Sequence, residues 1–418
     1  SSGSGNLLDD AELIGVLRNT QKKAADVKKA LHTAVETRES INEKREQFRP
    51  VAARGSILYF TVIDVSKINV MYQTSLKQFL ELFLKAMEVA EPARLATQRV
   101  TNIMEVLTYN VYRYINRGLY EDDKLLFVFI LATRILVNSN TISQGDVDLF
   151  LRGGAALSLD SPGVRKKPFV WLSDEAWLNV SELSNKHSFF RTMQEDLMRN
   201  ESQWNSWYEH NAPEKAQVPD YEVRLAEDDD LGSWYRLMIV RTFRNDRTQL
   251  AIKEFVRAMG QLGPKYVEPV TDKLEDIYND MVNSVPIVFL LSMGADPTDS
   301  IIQLCRKKKC ELVATISMGE GQEKPATAAI NQAAQTGGWV LLQNCELGLG
   351  LMDKMEDMLI KFRDGEPDRF DSSFRLFITA CPHPEFPLGL LQMSTKVTNE
   401  PPAGLRAGLM RSYSTIID

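Results

Sequence analysis

VPIVFLLSMGADPT, residues 285–298, decides how this chain is read. Its first half, Val285 to Leu291, is a short apolar run rich in branched residues. Three more runs follow: Glu311 to Ser317 (ELVATIS), Trp339 to Leu342 (WVLL) and Phe374 to Thr379 (FRLFIT), each separated from the last by a stretch at helical spacing. That alternation predicts an α/β domain, a parallel sheet covered by helices on both faces. Sheets of this kind place ligands outside the carboxyl ends of their strands.

In a nucleotide-binding sheet the first strand runs into GxxxxGK[ST]. Backbone amides there cradle the phosphates, and the Lys and hydroxyl reach the terminal phosphate and magnesium. Here the strand runs into Ser292-Met293-Gly294-Ala295-Asp296-Pro297-Thr298, with no Gly-Lys-Thr. Asp296 sets a carboxylate where anionic phosphates would sit, and Pro297 removes one N–H donor. The strand that would end in an acidic pair for magnesium and water ends in Leu342-Gln343-Asn344-Cys345; amides serve neither as base nor as strong magnesium ligand. Thr379 could orient an attacking water, but it stands alone. Gly294 to Thr298 therefore read as a degenerate phosphate loop and Gln343 with Asn344 as a degenerate acidic pair. No residue is assigned a catalytic, cofactor-binding or metal-ligating role.

Other chemistry is thinly supported. Gly319-Glu320-Gly321 is a GxG without a third Gly and reads as a turn. His32, His187, His210 and His383 are scattered, Pro382 and Pro384 make a rigid turn around His383, and neither Ser292 nor Ser317 sits in a G-x-S-x-G elbow. The formal net charge of −7 gives a nucleic-acid partner no electrostatic support; the one basic run, Arg306 to Lys309, reads as a solvated helix end. Cys305, Cys310, Cys345 and Cys381 show no CxxC pairing, which argues against a zinc ribbon or a disulfide framework and for a reducing cytoplasm. No run reaches the roughly 18 apolar residues of a membrane helix, and no signal-peptide pattern opens the chain. Ser1 to Gly5 read as an expression scar, and Ile416 to Asp418 stop within an apolar pattern, so the chain is expected to be part of a longer one.

Upstream of the sheet the chain is all-α. From Leu13 to Phe48 apolar residues alternate steps of four and three, with Leu13, Leu17, Val27, Leu31, Ile41 and Phe48 on one stripe. This is heptad spacing, interrupted by Thr20, Arg38 and Arg45. Asn6, Asp9 and Asp10 suit the N-terminus of this helix, and Pro50 is expected to end it. It either lies on its own domain or forms half of a protruding hairpin. Residues 53–157 read as a helical domain closed by Gly153 and Gly154. Residues 158–230 hold four of the six tryptophans, Trp171, Trp177, Trp204 and Trp207, beside Pro162, Pro168, Pro213 and Pro219. They read as an irregular connector, pinned to neighbouring surfaces by aromatic anchors and ended by Glu227 to Asp230.

Eight segments, in order, carry a resemblance: SGNLLDDAELI (4–14), RPVAARGSILYF (49–60), INVMYQTSLKQFLELF (68–83), LTYNVYRYINRGLYEDDKLLFVF (107–129), FLLSMGADPTDSI (289–301), TISMGEGQE (315–323), GGWVLLQNCELGL (337–349) and TNEPPAGLRAGLMRSY (398–413). Together they resemble the C-terminal part of the dynein heavy chain motor, and the wording SMG (292–294), SMGEGQE (317–323) and TGGWVLLQNCELGL (336–349) is similar to axonemal outer-arm chains of gamma type. The resemblance implies a ring of six AAA+ modules, ATP and magnesium bound elsewhere in the motor, and a microtubule-binding stalk. It divides this chain into the returning helix of the buttress that braces the stalk (1–52), the helical lid of the fifth module (53–157), the connector (158–230), a degenerate sixth module (231–405) and the start of its lid (406–418). Implied partners are the other AAA+ modules and stalk of the same chain, microtubules, and other outer-arm heavy, intermediate and light chains, in the cytoplasm and the axoneme of a cilium or flagellum. The implied function is structural and force-transmitting. Two alternatives stay open: an unconventional nucleotide-sensing module, and a helical adaptor docking accessory chains through exposed connector tryptophans.

Overall fold

The computed structural model describes residues 11–162, 164–226, 229–268, 273–280, 282–364 and 371–400. The expectations placed on Ser1 to Asp10, on Glu227 and Asp228 and on residues 401–418 lie outside them. The chain divides into two compact units, residues 1–54 with 90–104 and residues 55–89 with 105–418.

The first unit is dominated by α1 (Ala11–Gln47), 37 residues long. Val27, Leu31 and Ile41 are 67%, 64% and 57% exposed, and Phe48 is exposed too. The side chains of Leu13 and Leu17 are outside the description. Thr20 turns its hydroxyl onto the Val16 carbonyl at 2.7 Å, a bond within the helix. Pro50 does not end this helix, contrary to expectation. α1 stops at Gln47, and Pro50 stands in the first turn of α2 (Arg49–Val65), where a missing N–H is one of the unpaired four in any case.

After α2 come α3 (Leu76–Val89), α4 (Ala96–Asn116), α5 (Glu121–Asn138) and α6 (Gln144–Arg152). α6 opens on a capping box of Ser143 and Asp146 and closes on Gly153 at φ 51°. The Gly154 N–H then donates to Asn179 Oδ1 at 2.7 Å.

Residues 158–230, read as irregular, contain helices joined by non-helical stretches: α7 (Asp174–Lys186), α8 (Met193–Arg199), α9 (Glu201–Tyr208) and α10 (Glu222–Leu225). The aromatic anchors turn inward. Trp177, Trp204 and Trp207 are buried; the Trp177 indole N–H reaches the Arg165 carbonyl at 2.8 Å and that of Trp204 reaches Asp220 Oδ2 at 2.9 Å. Trp204 stacks on Phe243, which closes α11 (Asp229–Phe243). Trp171 is half-buried, its indole N–H on Glu201 Oε1 at 3.1 Å. α11 pairs with α12 (Thr248–Ala258), and between them buried Trp234 packs on Phe129, Phe150 and Phe255, joining α5 and α6 to this layer.

α13 (Leu274–Asp280) leads into the sheet: β1 (Ile287–Leu291), α14 (Thr298–Lys307), β2 (Leu312–Ser317), α15 (Glu323–Thr336), β3 (Trp339–Gln343), α16 (Leu349–Asp364), β4 (Arg375–Ala380), α17 (Leu388–Met393) and β5 (Thr395–Asn399). Among the described residues the sheet has five strands, all parallel, in the order β2-β3-β4-β1-β5. Four were legible as runs; β5, TKVTN, was not. Ile287, Phe289 and Leu291 face one core with Ile277, Ile301, Leu304, Trp339, Leu341 and Phe377. Val288, Leu290, Val340 and Leu342 point the other way by the alternation of the pleat and are equally buried, so both faces are covered. β1 lies inside the sheet, between β4 and β5, which puts its carboxyl end at the reversal of strand order.

Candidate functional site

The chain leaves β1 under restraint. Tyr120 donates its hydroxyl to the Leu291 carbonyl at 3.2 Å, and the Ser292 N–H bonds the Asn399 carbonyl of β5 at 3.2 Å. A turn follows, closed by the Ala295 N–H on the Ser292 carbonyl at 3.0 Å, with Gly294 at φ 81°. Met293 stands exposed at its tip, Ala295 is buried, and α14 begins at Thr298.

At that helix start a side chain of the loop itself meets the free N–H groups. Asp296 Oδ1 accepts from the Thr298 backbone N–H at 2.9 Å and from the Thr298 hydroxyl at 2.5 Å. The same hydroxyl accepts from Gln343 Nε2, at the end of β3, at 2.7 Å. The loop and the end of β3, singled out separately in the sequence, thus meet in one relay: Gln343 donates to Thr298, and Thr298 donates to Asp296. An Asp close to a helix N-terminus is favoured by the helix dipole. One N–H at this helix start is thus taken by the loop's own anion.

Asn344 does not join the relay. It sits at φ 53°, in the left-handed region that Asn tolerates, and its amide donates to Ser317 Oγ of β2 at 2.9 Å. Its backbone N–H donates to Thr379 Oγ1 at 3.3 Å. Thr379, read from the sequence as standing alone with no water to orient, is buried and accepts this bond from the end of β3. Next to it Cys345 is buried, and burial pushes its thiol far above the usual range. Among the described residues no group of three or more His, Cys, Asp or Glu is placed to hold a metal ion, and no helix is long and apolar enough to cross a membrane.

Sequence reasoning missed Tyr120, Ser317 and Asn399 as members of this corner. Nothing in their local spacing signals it, since each lies in a different element. The strand it overlooked, β5, supplies Asn399 and also a buried Lys396, whose ammonium donates to the Leu391 and Ser394 carbonyls at 2.9 and 3.1 Å.

Comparison with known proteins agrees with this architecture. Residues 282–398 match the family described as dynein heavy chain region D6 P-loop domain. Along its whole length the chain is 44% identical to dynein axonemal heavy chain 8 of Homo sapiens. It is 43% identical to the dynein gamma chain of the flagellar outer arm of Chlamydomonas reinhardtii, and 41% identical to dynein axonemal heavy chain 5 of Mus musculus, again along its whole length. The chain spans 9% of the length of each of these relatives. It belongs to the dynein heavy chain family and carries that family's D6 P-loop domain in residues 282–398.

Proposed function

We propose that this chain is a non-catalytic, force-transmitting part of an axonemal dynein motor, its P-loop domain a mechanical element that neither binds nor hydrolyses nucleotide. The observation that carries the reading is the closed relay from Gln343 through Thr298 to Asp296. A magnesium nucleotide does not fit these residues. The Asp296 carboxylate takes the Thr298 N–H that a phosphate would need, and an amide stands where a metal-binding carboxylate would be required. ATP and magnesium act elsewhere in the heavy chain on this reading, and microtubules are met through a stalk outside this chain. The partners are other AAA+ modules of the same heavy chain and the chains of an outer arm, in the axoneme of a cilium or flagellum.

In this reading α1 is the returning helix of a hairpin that braces the stalk. Its exposed Val27, Leu31 and Ile41 supply the stripe, and Arg38 and Arg45 within the seam keep it able to slide. In a full motor, replacing Arg38 and Arg45 with Leu locks the hairpin and uncouples ATPase rate from microtubule affinity; unchanged coupling would sink this role.

The direct test of the domain is calorimetric titration of the folded chain with Mg-ATP and Mg-ADP. No saturable heat supports the mechanical reading. A micromolar isotherm replaces it with a nucleotide-sensing module.

A further inference from the structure

Helix α14 ends in a Schellman motif. Lys309 sits at φ 54°, its N–H donates to the Arg306 carbonyl at 3.0 Å, and the Cys310 N–H reaches past it to the Cys305 carbonyl at 3.1 Å. In this motif the residue two places beyond the cap commonly packs its side chain against the residue in the last helical turn whose carbonyl it bonds, and the contact is usually apolar. Here both are cysteines, and both are free. Cys305 Sγ lies 3.2 Å from the Cys310 carbonyl, Cys310 Sγ folds back to 3.6 Å from the Lys308 carbonyl, and both residues belong to one apolar cluster. The backbone bond between them holds the two Cα atoms within the span a disulfide bridges.

We propose that Cys305 and Cys310 are a reversible dithiol–disulfide pair, oxidised by exchange with a small-molecule disulfide. The two thiols differ in access. Cys305 is buried, whereas Cys310 is partly exposed at the end of the basic run Arg306 to Lys309, whose positive charge attracts an anionic disulfide. Cys310 attacks first, forming a mixed disulfide and releasing one small thiol, which takes its proton. Cys305 then attacks the Cys310 sulfur, the second small thiol leaves with the other proton, and the Sγ–Sγ bond closes. Two protein thiols are oxidised and one external disulfide is reduced to two thiols. Burial raises the Cys305 thiol above its ordinary range, which suits a resolving thiol that reacts only with a sulfur already beside it. The bond fastens the end of α14 to the entry of β2, the edge strand of the sheet.

The test is incubation of the folded full chain with glutathione disulfide, followed by acid trapping and tryptic mapping without reduction. Trypsin cuts at Arg306 and after each of Lys307 to Lys309, so the pair, once bonded, leaves the fragment ending at Arg306 linked to the one beginning at Cys310. The expected result is that link, released by dithiothreitol. Cys305→Ser loses the link and leaves glutathione on Cys310; Cys310→Ser loses it and leaves Cys305 unmodified, with circular dichroism confirming that both variants are folded. A stable glutathione adduct on Cys310 of the unsubstituted chain with no linked fragments overturns the proposal. Modification of exposed Cys381 with neither Cys305 nor Cys310 reacting overturns it equally.

Discussion

Replacing Lys396 with Met is expected to stabilise the protein near neutral pH. The Lys396 side chain is buried beside Gly118, and burial pulls its ammonium from the ordinary 10.5 down to about 7. A lysine whose folded pKa lies below its unfolded one binds fewer protons folded than unfolded between the two values, so stability rises with pH across that window. Each pH unit there is worth about 1.4 kcal/mol for one proton, so the buried charge costs the fold about 4 kcal/mol at pH 7. Losing the two bonds to the Leu391 and Ser394 carbonyls costs about 1 kcal/mol each. Neither carbonyl is orphaned by the change: Leu391 keeps the Ser394 N–H at 3.3 Å, and Ser394 keeps Gln78 Nε2 at 3.2 Å. The net gain for Lys396→Met is about 2 kcal/mol at pH 7, falling to nothing near pH 9. Tyr114, which bonds Thr395 next door, has its phenol pushed up by burial and stays neutral throughout, and the thiols and other phenols cancel between parent and variant. Urea unfolding of both proteins at pH 7 and pH 9 measures the difference. A variant no more stable than the parent at pH 7, or a difference that does not change between the two pH values, refutes the reasoning.

Three further outcomes follow from packing. Acrylamide should quench the intrinsic fluorescence only weakly, because Trp177, Trp204, Trp207, Trp234 and Trp339 are buried; quenching close to that of free tryptophan would return the connector to an exposed docking surface. Gly154→Ala places a Cβ 2.6 Å from the Leu178 backbone and should cost about 2 kcal/mol or more in a thermal melt, whereas Gly145→Ala, whose nearest neighbour would be 3.4 Å away, should be nearly silent. Glu214 is buried and held by Arg247 through bonds of 3.1 and 2.5 Å. Arg247→Leu should therefore lower stability, read by urea unfolding at pH 7. Because Arg247 helps hold the Glu214 pKa below its ordinary value, that loss should shrink as pH falls through the carboxylate range.

The parallel sheet was legible because β1 to β4 are buried or half-buried strands, and such strands read as unbroken branched runs. β5 was illegible for the opposite reason: TKVTN is mostly polar, and its place in the sheet depends on Thr398 finding carbonyl acceptors far away in the chain. Pro50 was misread because proline breaks a helix interior yet suits a first turn, and which applies depends on where Phe48 lets the chain bend. The helices of residues 158–230 were hidden by their prolines and tryptophans, although Ser173 followed by Asp174 and Glu175 is a helix-start signature; Ser173 does cap α7 through the Ala176 N–H at 3.1 Å. At the candidate site the loop residues and the Gln343 position were readable one by one. Their joining at 2.7 Å was not, since 45 residues separate Thr298 from Gln343.

The bond from the Thr398 N–H to the Arg117 carbonyl, at 2.8 Å, carries a consequence for the order of assembly. With the Thr398 hydroxyl on the Arg117 and Leu119 carbonyls, it ties β5 to the corner between α4 and α5 across a separation of 281 residues. Contacts so far apart in sequence form slowly, because a long loop must close before they contribute anything. During synthesis α4, α5 and the first four strands emerge before β5, and until it arrives β1 exposes an unpaired edge to other nascent chains. A chain cut before Thr395 would keep that edge open permanently, so it should aggregate from the sheet and not from the helices.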